Sequence, residues 1–402
     1  MLETAHGLIR SAGKKIGLND TEIDELIKVD AEHRFDIELA NGKSFKAYRV
    51  QHKNKLGPYK GGVRFHPQVD LDEVRALATL MSLKTAAAGL PLGGGKGGVT
   101  VNPKELGKDE LEELSRKYVR HLHPHIGPDK DVPAPDVNTD STIIDWMADE
   151  YQKQTGDASG ASFTGKSVKR GGSLGRDAAT GRGGVIALAE WLKHQKKSGS
   201  DITYAVQGYG NVGAFFARVA HEMHPEWRLI AASDSSAALV NKKGLDAADL
   251  ANFKEAGRRF ADYEDAQIND PDAIIGQDAN VLVLAALEDA VTGKNMKEVK
   301  ARYVVELANG PVNEEAQNYF TSQGISVMPD IIANSGGVIV SYLEWLQNKQ
   351  GEHWTENKVN AQLENYMNRA VARLMNAADK NNSSLKEAAF ILALKRLTSR
   401  VP

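Results

Sequence analysis

The sequence contains no cysteine. That excludes disulfides, thiolate-ligated zinc and a cysteine nucleophile, and it suits a reducing cytoplasm. There is no basic excess. The net charge is −3, so nothing points to nucleic acid or to a membrane surface. No apolar run is long enough to span a bilayer. The start, Met1-Leu-Glu-Thr-Ala-His6, lacks a basic stretch followed by an apolar one and predicts no signal peptide. Internal repeats and low-complexity tracts are lacking too. What is present is ordinary for a soluble globular chain: 402 residues, 41% hydrophobic and 26% charged. That length suffices for two or three domains, each with its own core.

Two glycine-rich stretches dominate. The later one is Gly208-Tyr-Gly210-Asn211-Val212-Gly213. The β-branched and aromatic run Ile202–Val206 before it predicts a strand. Gly208 allows a tight turn and Gly210 lets backbone approach a pyrophosphate. Gly213 lets a helix over Val212–Glu222 pack close on the strand. Asn211 and Val212 stand at that helix N-terminus, whose free N–H groups and positive dipole end suit phosphate. A second strand over Arg228–Ala232 leads to Asp234, 21 residues after Gly213, where a ribose-binding acid is expected. Strand, helix and acid in this order favour dinucleotide binding over an ordinary glycine turn.

The earlier stretch is Gly89-Leu-Pro-Leu-Gly93-Gly-Gly-Lys96-Gly-Gly98. It fails the Walker A pattern, because Leu90 and Gly97 stand where glycine and a hydroxyl residue are required. Two readings remain for this loop. Its glycines bring a small ligand close to Lys96, or it is a solvated flexible segment. Lys60-Gly-Gly-Val-Arg-Phe-His-Pro67 also reads as a glycine-freed loop. The helix predicted over Leu71–Ala87 carries Val74, Leu77, Ala78 and Met81 on one face, and that face continues to Lys84. The lysine either meets a counter-charge there or snorkels at the helix end. In Asp131-Val-Pro-Ala-Pro-Asp136-Val-Asn-Thr139, two prolines stiffen a loop that fixes Asp136. A carboxylate so placed suits proton transfer; a turn or cap role is the competing reading. His121, His123 and His125 read as solvated rather than as a metal site.

Elsewhere, Leu2–Ile16 and Glu22–Ile27 read as helices, the second with a capping box from Asn19. Arg34–Leu39 and Ser44–Gln51 form a hairpin around Asn41-Gly42. Leu106–His123 reads as a surface helix. Gly171–Arg176 marks a domain boundary, Ala179–Lys193 a helix, and Gln195–Ser200 its exit loop. Val281–Ala285, Tyr303–Glu306 and Ile325–Met328 read as further strands. Helices are expected over Val338–Gln347, Glu356–Ala378 and from Ser384 to about Leu397.

Taken together, the quoted stretches resemble the glutamate/leucine/phenylalanine/valine dehydrogenase family, over about Val50–Ser341 and more weakly outside it. The motifs that carry the likeness are Gly57-Pro-Tyr-Lys-Gly-Gly-Val-Arg-Phe-His-Pro67, Pro91–Gly98, Asp131–Thr139, Gly171–Arg176 and Pro329–Val338. The chain looks closest to glutamate-acting members. The resemblance implies an α/β fold of two domains with a cleft between them: a substrate domain of residues 1–178 and 379–402, and a Rossmann-type domain of 179–378. It implies reversible NAD(P)-dependent oxidative deamination of L-glutamate to 2-oxoglutarate and ammonia by a cytoplasmic homohexamer. NAD is expected first and NADP second.

The resemblance also implies roles. Lys96 and Asp136 match the catalytic lysine and aspartate. Lys84 matches the ligand of the substrate α-carboxylate. Lys60 and Ser341 match the pair on the side-chain carboxylate, with Thr164 lining that pocket. Thr180 and Asn309 match positions near the nicotinamide. No metal is expected. Two departures bear on coenzyme choice: Ser235-Ser-Ala-Ala238 where the family often has Gly-Gly, and Leu284 where many relatives have proline. The rival readings are a dehydrogenase for another side chain, against which Lys60 and Ser341 argue, and a silent nucleotide-sensing relative, against which Lys96 and Asp136 argue.

Overall fold

The computed structural model describes residues 2–197 and 201–398. Met1, Ser198–Ser200 of the expected exit loop and residues 399–402 lie outside the described residues. The chain divides into two compact units. The first comprises Met1–Arg176, Val338–Gln362 and Phe390–Pro402, and the second Asp177–Gly337 and Leu363–Ala389. The first break follows the Gly171–Arg176 stretch.

In the first unit, α1 (Leu2–Lys15) and α2 (Asp20–Ile27) precede β1 (Ala31–Glu38), β2 (Ser44–Lys53) and β3 (Tyr59–His66). Then come α3 (Leu71–Ala87), β4 (Gly94–Thr100), α4 (Lys108–Leu122), β5 (Asp131–Pro135) and α5 (Ser141–Thr155). The expected capping box at Asn19 and Glu22 is present. Among the described residues the sheet order is β1-β2-β4-β3-β5. β1 and β2 form the expected antiparallel hairpin, and β3 runs parallel to β4 and β5. Val63, Phe65 and Val99 pack with Leu114, Tyr118 and Ile144 into the main core.

Three expected loops are strands. Lys60–His66 lies in β3, Gly94–Gly98 in β4 and Asp131–Pro135 in β5. The glycines serve close approach rather than flexibility. A Cβ on Gly61 would stand 1.5 Å from the Gly95 carbonyl oxygen, and one on Gly94 2.1 Å from the Ser82 backbone nitrogen of α3. β5 tolerates its prolines because it is an edge strand.

The second unit opens with α6 (Ala179–His194), β6 (Thr203–Gln207), α7 (Asn211–Met223), β7 (Arg228–Ser233), β8 (Ala238–Val240) and α8 (Ala247–Glu255). It continues through β9 (Gln267–Asn269), β10 (Val281–Leu284), β11 (Tyr303–Glu306), α9 (Glu314–Gln323), β12 (Ser326–Met328) and α10 (Asp330–Ala333). The sheet order is β12-β11-β10-β6-β7-β8-β9. β12 through β7 are parallel; β8 and β9 extend the sheet antiparallel. This is the doubly wound architecture expected for the dinucleotide domain.

The last helices are α11 (Gly336–Gln350), α12 (Glu356–Asn381) and α13 (Leu385–Leu397). Val338–Gln362 belongs to the first unit, whereas the sequence reading put it in the dinucleotide domain; residues 379–389 belong to the second. The physical reason is side-chain pairing between residues far apart in sequence, described next.

Candidate active site

Side chains alternate along a strand. Val63, Phe65 and Val99 face the main core, so Lys60, Gly62 and Arg64 of β3 and Lys96 of β4 face the other way. Asp136 follows β5 directly. Its Oδ2 accepts from Lys96 Nζ at 2.7 Å and from Arg64 Nε at 3.0 Å. Gly62 makes room for this: a Cβ there would stand 2.7 Å from Asp136 Cβ. Burial opposes ionisation of Asp136, but the two cations and their hydrogen bonds prevail and hold its carboxyl below the usual range.

The turn after Asp136 is pinned to β3. The Asp136 backbone N donates to Thr139 Oγ1 at 2.7 Å, and Thr139 Oγ1 donates to the Val63 carbonyl at 2.8 Å. Asn138 takes the left-handed conformation (φ 57°) and donates from Nδ2 to the Phe65 carbonyl at 2.9 Å. Asp136 is thus anchored by its turn as well as by its charge.

Lys60 is buried, 2% exposed. Among the described residues its ammonium has no hydrogen-bonding or ion-pairing partner. Burial first, then the charges of Arg176 and Arg49, lower its pKa well below the ordinary value, while Glu344 and Asp131 act the other way. A buried amine within reach of the Arg176 guanidinium suits an anion.

The same unit holds Ser341, whose Oγ accepts from Arg176 at 3.0 Å, and Thr164, whose buried Oγ1 has no partner among the described residues. The Thr164 backbone N donates to the Pro133 carbonyl at 3.1 Å, which ties this residue to β5. Glu344, three residues after Ser341 on α11, is fully buried and accepts from the Gly165 N–H and from Lys166 Nζ at 2.8 Å. Lys84 lies half-buried in the last turn of α3. Beneath the strands, Arg49 and Asp131, both fully buried, form a bidentate ion pair joining β2 to β5.

In the second unit the glycine stretch behaves as expected. Gly208 has φ +86°, and its N–H donates to the Ser233 carbonyl at 2.9 Å. A Cβ on Gly213 would stand 1.9 Å from the Gly208 carbonyl oxygen, so helix and strand touch there. A Cβ on Gly210 would meet nothing within 4 Å. Among the described residues no side chain caps α7, whose first residues are Asn211 and Val212. An open approach to uncapped helix N–H groups fits a pyrophosphate. Thr180 lies in the first turn of α6, and exposed Asn309 accepts from Asn334 Nδ2 at 3.0 Å.

Asp234 differs from expectation. Its Oδ1 accepts from Ser236 N, Ser236 Oγ and Ala237 N at 2.8, 2.6 and 3.2 Å. Its Oδ2 accepts from Lys254 Nζ at 2.5 Å and Phe260 N at 3.1 Å. Burial opposes ionisation, but these bonds depress the carboxyl far below its usual range. Five donors fill a carboxylate. Asp234 therefore organises its own loop, and a ribose could be read by it only after a donor leaves. Ser235 beside it is exposed.

Comparison with known proteins shows the family. Residues 30–153 match the Glu/Leu/Phe/Val dehydrogenase dimerisation domain, and residues 171–401 match Glutamate/Leucine/Phenylalanine/Valine dehydrogenase. The chain belongs to this dehydrogenase family. It is 40% identical over 405 residues to an NAD-specific glutamate dehydrogenase of Peptoniphilus asaccharolyticus, covering 98% of this chain and 96% of that one. The crystal structure of glutamate dehydrogenase from that organism matches with a TM-score of 0.89 at 38% identity, covering 99% and 97% of the two chains. A hetero-hexameric glutamate dehydrogenase from Thermus thermophilus, in a Leu-bound form, matches with a TM-score of 0.90 at 34% identity over 99% and 95%.

The first unit holds the expected Lys60, Thr164 and Ser341, with Arg176 bonded to Ser341, and separately joins Lys96 to Asp136. Sequence reasoning missed Arg64, Lys166, Arg176 and Glu344. Arg176 ends a stretch already singled out, and Glu344 lies one turn beyond Ser341; those were the available signals. His121 stacks on Phe35 at 4.7 Å and His125 against His33 at 4.1 Å.

Proposed function

We propose that this chain is a glutamate dehydrogenase catalysing reversible NAD-dependent oxidative deamination of L-glutamate to 2-oxoglutarate and ammonium. The observation that carries the reading is Lys60: a buried amine with no ion-pairing partner among the described residues, within reach of the charge of Arg176, which bonds Ser341. An apolar side chain placed there would leave this polar group unpaired in a buried site. A carboxylate satisfies Lys60, Ser341 and the open hydroxyl of Thr164 together. Lys84 then takes the α-carboxylate, so that the substrate is held at both ends.

When bound, NAD supplies the hydride acceptor. Gly208, Gly210, Asn211, Val212 and Gly213 would hold its pyrophosphate, and Thr180 and Asn309 would face its nicotinamide. The loop from Asp234 to Ser236 would meet its adenosine ribose. NAD preference rests on the relative named NAD-specific, with NADP second. At the reacting carbon, Lys96 Nζ positions water for attack on the imine. Asp136, held at 2.7 Å from that ammonium, takes and returns protons. Arg64 fixes the carboxylate's direction from the other side.

The same reading makes the protein a homohexamer of the cytoplasm. The hetero-hexameric Thermus thermophilus neighbour supports the number of subunits, and the lack of cysteine suits that compartment. The test is oxidation of a panel of L-amino acids with each coenzyme, followed by absorbance of the reduced nicotinamide. Glutamate with NAD should give the highest kcat/KM. A higher value for leucine, valine or phenylalanine would refute the reading.

A further inference from the structure

We propose that Glu344 is a positioning residue for substrate specificity: its buried carboxylate holds the Thr164–Lys166 turn and Arg176 in the arrangement that receives a side-chain carboxylate. The inference rests on the glutamate reading above. Glu344 Oε1 accepts from Gly165 N at 3.0 Å, Lys166 N at 3.4 Å and Lys166 Nζ at 2.8 Å. Oε2 accepts from Gly165 N at 2.9 Å and stands 3.5 Å from Arg176. Arg176 in turn donates to Ser341 Oγ at 3.0 Å. Ser341 and Glu344 are three residues apart on α11 and share a face.

One carboxylate therefore orients three groups that meet the ligand: Thr164, Arg176 and Ser341. It also sets the charge. Lys166 and Arg176 bring two positive charges to the cluster, and Glu344 brings one negative charge. An incoming carboxylate enters a field that remains positive. Without Glu344, Lys166 and Arg176 lose their shared anchor, and the turn bearing Thr164 loses the acceptor for two backbone N–H groups. Glutamine cannot replace it, since its amide nitrogen would face a donor.

The experiment compares wild type with Glu344→Gln on two substrates of equal chain length, L-glutamate and L-norvaline. The variant should lose about 10- to 100-fold in kcat/KM on glutamate. The loss should lie mainly in KM, with norvaline changing by no more than a few-fold and the KM for NAD unmoved. Thermal midpoints of both proteins accompany the assay. Should Glu344→Gln not fold, Lys166→Met removes one partner while leaving the backbone bonds, and should shift the glutamate-to-norvaline ratio in the same direction. Equal losses on both substrates in the folded variant would make the cluster a stabilising ion pair and overturn the proposal. A wild type that does not prefer glutamate over norvaline would overturn the underlying reading as well.

Discussion

Replacing Gly94 by alanine tests why the glycine-rich run is a strand. The added Cβ would stand 2.1 Å from the Ser82 backbone nitrogen and 2.6 Å from Ser82 Cα. The nearest atom is helix backbone, so turning the Ser82 hydroxyl, 2.3 Å away, cannot relieve the clash. Ordinary contact begins at 3.4 Å, so α3 and β4 must part by about 1.3 Å. Overpacking of this kind costs about 1–3 kcal/mol, or a fall of roughly 2–12 °C in thermal midpoint. The shift also moves Lys84, two residues after Ser82 on the same helix. A displacement of about 1 Å at a substrate ligand can cost about 100-fold in turnover.

Gly210→Ala is the matched control. Its Cβ meets nothing within 4 Å, and its φ of −82° suits any residue. That variant should keep the midpoint and lose coenzyme affinity, because the methyl group occupies the pyrophosphate's approach. Scanning calorimetry together with steady-state kinetics separates the two. A Gly94→Ala protein as stable and active as wild type would refute the close-packing argument.

Lys96→Ala and Asp136→Asn should each cut kcat by several orders of magnitude while leaving coenzyme affinity near normal, as measured by binding titration. Near-wild-type turnover of Asp136→Asn would make that residue only a turn anchor. Asp234→Ser removes the acceptor of five donors and should lower the midpoint, by about 1–3 kcal/mol in stability. A changed NAD-to-NADP ratio at unchanged midpoint would restore Asp234 as the residue that reads the ribose. Burial holds the Glu306 carboxyl at about 7 against an ordinary 4.5, with Lys386 partly offsetting. Between those values the folded state keeps a proton that the unfolded chain has lost, so stability falls as pH rises through that window. Glu306→Gln should then stabilise by up to roughly 3 kcal/mol near pH 8 and by little near pH 4. Parallel midpoint-versus-pH curves for the two proteins would contradict this.

Local signals were the legible ones. Gly208, Gly210 and Gly213 act within one strand–turn–helix unit, so spacing alone exposed them. Asn19 and Glu22 likewise cap their helix within four residues. Gly61 and Gly94 misled because strand propensity disfavours glycine; their reason lies in neighbours across the sheet and on α3. Asp234 was located, but not the donors that fill it, since Lys254 and Phe260 come 20 and 26 residues later. Glu344 bonds Lys166 across 178 residues. That separation hid the membership of Val338–Gln362 in the first unit.

The central claim is that Lys60 and Ser341 hold a substrate side-chain carboxylate. The measurement that tests it most directly is kcat/KM for L-glutamate and L-norvaline in the double variant Lys60→Leu/Ser341→Val. The account predicts a fall of at least about 100-fold on glutamate, equivalent to losing about 3 kcal/mol of charge-assisted bonding, with norvaline unchanged or improved. An unchanged kcat/KM for glutamate would contradict it.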